Sequence, residues 1–274
     1  MPGIEELSPE TESTFFRCLH DERPEDPEVT SIRKSWFRRH LDLGLRARVL
    51  VTDCDEVAGL CQYLPIEYSH FLGSDLIAVL CIWVHGYEYH LGNRQGQGYG
   101  RMILESIEKD AGKSGFKGVA AWGKDYPYWN PVSFYEHMGY ARADRIGNDV
   151  LVWKSFRGEG EPPRFLRQRK RGPVLPDRIT VVSLFTGWCG GCSFNLEARE
   201  AAKDLRDIAD YIEVDTSVRK NMLEWGISDG ILMDGQPYRN DGPPFTREDL
   251  KRDILDLYGR KTGQQRTGSM EDHE

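Results

Sequence analysis

The stretch Gln95-Gly96-Gln97-Gly98-Tyr99-Gly100-Arg101 constrains this chain most, because three glycines at alternate positions separate an apolar run from a helix-period segment. Leu76-Ile77-Ala78-Val79-Leu80-Cys81-Ile82-Trp83-Val84 precedes them and reads as a strand. After them Ile103, Ile107 and Ala111 recur at four-residue spacing with Leu104 beside them, which predicts a helix with one buried face. Strand, glycine loop and helix in that order leave backbone N–H groups free to turn on an anion. The helix dipole at that end also favours negative charge. The first expectation is an α/β fold with a phosphate-binding turn.

Further strands are expected at 46–51, 57–63, 119–122 and 150–153, with a turn at 53–56 and a helix across 36–41. A dinucleotide-binding unit wants its glycines after the first strand and an acid about 20 residues on. Several strands precede the loop here, so that alternative fits poorly.

With 274 residues, the chain can form one large or two ordinary domains. Composition changes between 157 and 178, where Pro162, Pro163, Pro173 and Pro176 surround Arg164, Arg167, Arg169, Lys170 and Arg171. This reads as a basic, proline-stiffened linker between a first domain at 1–156 and a second at 179–262, with a polar tail at 263–274. The net charge of −8 argues against general nucleic-acid binding, and no run approaches the roughly 20 apolar residues of a membrane span. The acidic start Met1-Pro2-Gly3-Ile4-Glu5-Glu6 has no apolar signal core, so a cytoplasmic location is expected. Cys18, Cys54, Cys61 and Cys81 are expected as small buried hydrophobes.

The loop pattern Gln95-x-x-Gly98-x-Gly100 resembles motif A of the GNAT acyltransferases. About 30 residues later Asn130-Pro131-Val132-Ser133-Phe134-Tyr135-Glu136-His137-Met138-Gly139-Tyr140 resembles their motif B, with Ser133 in place of the usual alanine. The resemblance implies an acyl donor, acetyl-CoA or another acyl-CoA, whose pyrophosphate sits on the amides of Gln95, Gly96, Gly98, Tyr99, Gly100 and Arg101, with Arg94 as an extra cation. It places the thioester near Val84, at the splayed end of the central strand, and gives Asn130 a contact to the pantetheine arm. Tyr135 is implied as the acid that protonates the departing thiolate, a transfer between groups of similar basicity. The segment from Val84 to Gly100 is about six residues longer than usual. Its Glu88, His85 and His90, together with Glu67, are candidate bases for the acceptor amine. An acyl carrier protein is a possible alternative donor, and the amine itself is open.

The second domain starts with the β-rich run Ile179-Thr180-Val181-Val182-Ser183-Leu184-Phe185 and continues as β-α-β-α-β-α. Trp188-Cys189-Gly190-Gly191-Cys192 resembles a thioredoxin active site, which implies Cys189 as attacking thiol and Cys192 as resolving thiol. No proline precedes Ile231, where thioredoxin-like folds carry one. Redox chemistry, metal or ligand capture and a structural remnant therefore stay open; two cysteines alone make no closed metal site. The whole chain resembles the YoaP-like group, through Cys81-Ile82-Trp83-Val84-His85, Gly187-Trp188-Cys189 and Gly226-Ile227-Ser228-Asp229. The expected architecture is α/β (α+β), a GNAT acyltransferase fold followed by a smaller thioredoxin-like α/β domain. The expected function is a CoA-dependent N-acyltransferase joined to a cysteine module. The alternative is a thiol or metal protein whose first domain senses acyl-CoA.

Overall fold

The computed structural model describes residues 1–18, 26–89, 91–127, 129–238 and 245–263, so His90 and nearly all of the expected polar tail lie outside the described residues. The chain divides into two compact units, Met1–Leu166 and Arg167–Glu274. No helix among the described residues is long and apolar enough to cross a membrane.

The first unit opens with β1 (Gly3–Glu6), α1 (Pro9–Arg17) and α2 (Pro27–Leu41). Asp26 caps α2 by accepting from the Glu28 and Val29 amides, and Pro27 fills a first-turn position that needs no donor. Then follow β2 (Arg46–Val51), β3 (Val57–Pro65), the short β4 (Phe71–Leu72), β5 (Leu76–Val84) and α3 (Tyr99–Lys113). β6 (Gly118–Lys124), α4 (Val132–His137), β7 (Ala141–Ile146), β8 (Asp149–Ser155) and the short β9 (Arg164–Phe165) complete the unit.

Seven strands form one sheet in the order β1-β2-β3-β5-β6-β8-β7. Side-chain alternation gives it two buried faces. Val49 and Leu60 pack with Phe15 and Phe16 of α1, while Leu50 and Cys61 pack with Ile103, Leu104 and Ile107 of α3. Every neighbouring pair is antiparallel except β5 with β6. That parallel pair is short: Leu76, Ile77 and Ala78 face Gly118, Val119 and Ala120, and the pairing then stops. From Val79 onward β5 pairs only with β3, and from Ala121 onward β6 pairs only with β8. The bulge opposite Gln62 and Tyr63 leaves Leu80 unpaired and bends β5 where the strands part.

The second unit contains β10 (Ile179–Phe185), α5 (Ser193–Asp204), β11 (Ala209–Asp215), α6 (Arg219–Trp225), β12 (Gly230–Met233), β13 (Gln236–Pro237) and α7 (Arg247–Thr262). Its sheet order is β11-β10-β12-β13, with β10 parallel to β11 and antiparallel to β12. Ile179 and Val181 pack with Ala198, Ala201, Leu250 and Ile254, while Val182 and Leu184 pack with Leu232 and Trp225 on the other face. The expected helix and strand order is present, with the hairpin strand β13 added.

The basic stretch read as a linker is partly built into each unit. Phe165 and Arg164 pair with Phe71 and Leu72 in the first. In the second, the Arg169 amide donates to the Trp225 carbonyl at 2.8 Å, Lys170 pairs with Glu224, and Arg178 bonds Asp210 at 2.7 Å. Two of its charges thus have partners within their own fold. Of the four cysteines expected to be buried, Cys18 and Cys61 are, and Cys81 is half-buried. Cys54 is exposed, because it occupies the turn between β2 and β3.

Candidate active site

The parting of β5 from β6 creates the site. Strand alternation fixes which backbone groups face the gap. The His85 amide donates to the Ala58 carbonyl of the β3 side at 2.9 Å, so the amides of Val84 and, two residues back, Ile82 turn away from β3 toward the missing neighbour. These donors have no sheet partner on that side. At the root of the gap the Trp122 indole N–H donates to the Leu80 carbonyl at 3.0 Å and holds the two strands at a fixed separation.

Tyr135 and Asn130 lie on the β6 side. The Asn130 amide nitrogen donates to the Trp122 carbonyl at 2.9 Å, and its Oδ1 accepts from the Tyr135 hydroxyl at 3.3 Å. Asn130 takes a left-handed backbone conformation (φ 43°), which asparagine tolerates better than most residues. Both polar ends of its side chain are thereby engaged inside the protein. Its side chain aims the phenol while keeping a second N–H and a second lone pair for other contacts. Tyr135 is 1% exposed, and burial together with the neighbouring Cys81 pushes its phenol well above the ordinary phenol range. It therefore keeps its proton at any ordinary working pH.

The glycine turn stands at the start of α3. Gly98 is the N-cap residue with φ 80°, a left-handed conformation that penalises any residue with a Cβ. A Cβ built there would meet nothing within 4 Å, so open space adjoins the turn. No side chain caps α3, and its first turn holds no acid, whereas Asp26 caps α2 and Thr246 caps α7. The leading amides of a 15-residue helix are thus left to solvent or a ligand. Arg101 is exposed in that first turn, and Gly100 lies against the Phe134 ring of α4, joining the turn to the Tyr135 helix.

Other expected residues are placed differently. The Tyr99 side chain is buried in the α3 core, leaving only its amide for a ligand. Arg94 bonds Glu56 at 3.1 Å, so this cation is already matched. Gln95 folds back onto the end of β5: a Cβ at Gly86 would fall 2.2 Å from its Nε2, so the side chain lies directly over Gly86. Glu67 accepts from the Asp75 amide at 2.8 Å, beside the opposite end of β5. Eight strand residues, roughly 25 Å, separate that end from Val84, so Glu67 is not at the site. Glu88 is exposed in the loop just beyond Val84. His85 in the same loop is 2% exposed, its Nδ1 hydrogen bonds the Gly92 carbonyl at 3.1 Å, and its Nε2 has no partner. Sequence reasoning had no signal for Trp122, whose bond to Leu80 is formed across 42 residues.

In the second unit Cys189 is half-buried and Cys192 buried. Cys192 precedes α5 through a 3-10 turn, Gly190–Cys192, whose closing amide reaches the Cys189 carbonyl at 3.2 Å. Asp229 organises the turn. Its carboxylate accepts from the Thr186 amide at 3.1 Å, the Thr186 hydroxyl at 2.7 Å and the Trp188 indole at 3.0 Å. Burial raises it above the usual carboxylate range, against the downward pull of the Thr186 and Trp188 bonds. Among the described residues no group of three or more His, Cys, Asp or Glu side chains is arranged to hold a metal ion.

No protein-family model matches the chain. A Bacillus subtilis (strain 168) protein described as the uncharacterized N-acetyltransferase YoaP is 25% identical over 167 residues, 57% of this chain and 60% of that protein. The chain therefore spans about 60% of the length of this curated relative. Solved structures similar to it include a putative acetyltransferase of the GNAT family from Desulfovibrio desulfuricans, 18% identical with a TM-score of 0.44 over 57% of this chain and 99% of that one. The PaiA N-acetyltransferase of Thermoplasma acidophilum, in complex with coenzyme A, is also 18% identical, with a TM-score of 0.41 over 57% and 99% of the two chains. The Escherichia coli GNAT family N-acetyltransferase YhbS, in complex with CoA, is 14% identical with a TM-score of 0.42 over 60% and 89%.

Proposed function

We propose that the first unit is a GNAT-type N-acyltransferase that uses acetyl-CoA or another acyl-CoA, and that the second is a thioredoxin-like thiol module. The carrying observation is the gap between β5 and β6, flanked by the uncapped α3 turn on one side and the buried Tyr135 phenol on the other. The relative described as an N-acetyltransferase supports the same reading.

The residues suit an acyl-CoA in three respects. The α3 amides and Arg101 offer donors and positive charge to the pyrophosphate. The Val84 and Ile82 amides offer donors along the gap, one of them to the thioester carbonyl oxygen as charge develops there. The Tyr135 hydroxyl offers its proton to sulfur as the carbon–sulfur bond breaks. Attack by a neutral amine forms the carbon–nitrogen bond, and the proton it sheds passes to Glu88, the carboxylate at this end of β5, directly or through water. In the second unit the Cys189 thiolate attacks one sulfur of a partner disulfide and releases the other as a thiol; Cys192 then displaces the bound sulfur, leaving a Cys189–Cys192 disulfide and a reduced partner, with Asp229 holding Trp188 in the turn that presents the pair.

Titration calorimetry with acetyl-CoA tests donor binding, and mass spectrometry of a panel of amines with acetyl-CoA and acyl carrier protein donors tests turnover. Acetylated product with release of free CoA is the expected result. Tight acetyl-CoA binding without product from any amine would instead favour a sensor.

A further inference from the structure

The edge that β6 loses when β5 leaves it is taken up again by a neighbouring stretch of chain. The Lys124 amide donates to the Asn130 carbonyl at 2.8 Å, and the Trp122 carbonyl accepts from the Asn130 side chain at 2.9 Å. Pro131 pairs with Lys124 in a parallel bridge. A Cβ at Gly123 would stand 2.9 Å from the Asn130 carbonyl oxygen and 3.0 Å from the Val132 Cα, so this backbone packs directly on β6. The open donors of the gap therefore belong to β5. At the inner end the Trp122 side chain crosses from β6 to the Leu80 carbonyl, two residues beyond the last pair, Ala78 with Ala120. Trp129 meets that ring at a steep angle, with 5.6 Å between centroids. The gap is thus open at Val84 and shut at Leu80.

On the acyltransferase reading, Tyr135 fixes where the reacting sulfur sits. The phenol bonds Asn130, which bonds Trp122, and its electrostatic neighbour on β5 is Cys81. A sulfur within reach of that proton lies abreast of Cys81 and Ile82. The Ile82 amide then takes the thioester carbonyl, and the Val84 amide is left to the arm. The arm enters from the α3 turn, which follows the Val84 end of β5 in the chain. Its acyl end points inward, at the indole. Ile82 and Leu80 are two residues apart, roughly 7 Å of strand, and contact with the ring takes up about 4 Å of it. One or two carbons beyond the carbonyl fill the rest.

We infer that the Trp122 indole is the end wall of the acyl pocket and sets the donor class: acyl groups of two or three carbons, with medium and long fatty acyl chains excluded. This rests on the acyltransferase reading and adds the acyl class and its determinant to it. Behind the ring lie Ala78 and Ala120, both fully buried, so removing the wall opens the pocket onto apolar side chains.

Titration calorimetry of the full-length protein with acetyl-CoA, propionyl-CoA and hexanoyl-CoA tests the wall without needing an acceptor. Acetyl-CoA and propionyl-CoA are expected to bind within about threefold of each other, and hexanoyl-CoA at least about tenfold more weakly. Trp122→Ala is expected to reverse the order, with hexanoyl-CoA about tenfold tighter than acetyl-CoA, because four more methylenes gain a place to be buried. Trp122→Leu is the milder cut, for the case in which the alanine variant does not fold. It is expected to raise the hexanoyl-to-acetyl affinity ratio at least about threefold over the wild type. Trp122→Phe keeps a ring and loses the Leu80 bond, and is expected to preserve the preference for acetyl-CoA. Loss of the preference in Trp122→Phe would make the bond, not the bulk, the determinant and overturns the wall. Hexanoyl-CoA bound by the wild type as tightly as acetyl-CoA, or a ratio unmoved in folded Trp122→Ala or Trp122→Leu, overturns it too while leaving donor binding intact. Failure of the wild type to bind any of the three overturns the acyltransferase reading itself, and the wall with it.

Discussion

Two turns in this protein lead from a strand region into a helix without a side-chain cap, and they differ in how the turn itself is held. At 95–98 the turn into α3 has glycine at its cap, open space around it and no side chain over the helix amides. At 186–192 the turn toward α5 is fastened from 40 residues away, where Asp229 accepts from Thr186 and Trp188. Neither α3 nor α5 has a side-chain cap, but only the turn before α5 is tied to a distant carboxylate. Helix amides left bare beside empty space suit an anionic ligand. A closed hydrogen-bond set instead suits chemistry that depends on holding two thiols in one geometry.

That contrast can be broken by substitution. Gly98→Glu, which places bulk and charge in the open turn, is expected to abolish acetyl-CoA binding by calorimetry, with residual affinity at least about 100-fold weaker. Unchanged affinity would remove the turn from the site. Tyr135→Phe is expected to lower kcat by about 100-fold, in the range of a lost general acid, while donor affinity stays within about twofold. A fall in affinity with unchanged kcat would make Tyr135 a packing residue only.

The pinned turn predicts a stability effect instead. Asp229→Ala leaves the Thr186 amide, the Thr186 hydroxyl and the Trp188 indole without their shared acceptor, and is expected to destabilise the second unit by about 1–3 kcal/mol in urea titration. If stability is unchanged but thiol reactivity is altered, Asp229 acts on the cysteines alone. Native-state labelling sharpens the comparison further. Exposed Cys54 and half-buried Cys189 are expected to react with a thiol reagent at pH 8, while Cys61, whose thiol burial raises to about 12, reacts only on unfolding.

The smallest expected effect concerns α7. Asp249 bonds the Thr246 amide and hydroxyl and Arg252, which lowers its carboxyl to about 2. A folded value below the unfolded one means that its contribution is fully present above about pH 4 and is lost as pH falls through about 2. Asp249→Asn is accordingly expected to lower Tm slightly at neutral pH, and the gap to the wild type should close near pH 2. A gap that persists at pH 2 would trace the effect to something other than the ionised cap.

Much of the first unit was legible because its signals are local. The apolar run at 76–84, the helix period after Gly100 and the strands at 119–122 and 150–153 each appear where periodicity puts them. β7 and β1 were not legible. Ala141-Arg142-Ala143-Asp144-Arg145-Ile146 has no clear apolar alternation, and it is a strand because β8 offers it an edge. Site residues failed where their fate depends on distant partners. Arg94 reads as a free cation until Glu56, 38 residues away, is placed beside it. Tyr99 reads as an amide of the loop and keeps that amide, while the first turn of α3 rotates its ring into the core. Glu67 reads as a base, yet β3, antiparallel to β5, carries it to the end of the sheet opposite Val84.

The sequence by itself determined the strand–turn–helix order around the glycines, the glycine turn that only residues free of Cβ strain can make, the tyrosine 35 residues after Gly100, and the paired cysteines. These follow from short-range sterics and periodicity, which need no neighbours. Tertiary structure alone decided that β5 and β6 separate after three residue pairs, that the Val84 amide faces the resulting gap, that Asn130 accepts from Tyr135, and that Asp229 ties the cysteine turn. Those outcomes depend on which strands end up adjacent and which polar groups find each other across long stretches of chain. Packing and hydrogen-bond satisfaction over the whole fold settle them, and no local pattern records the result.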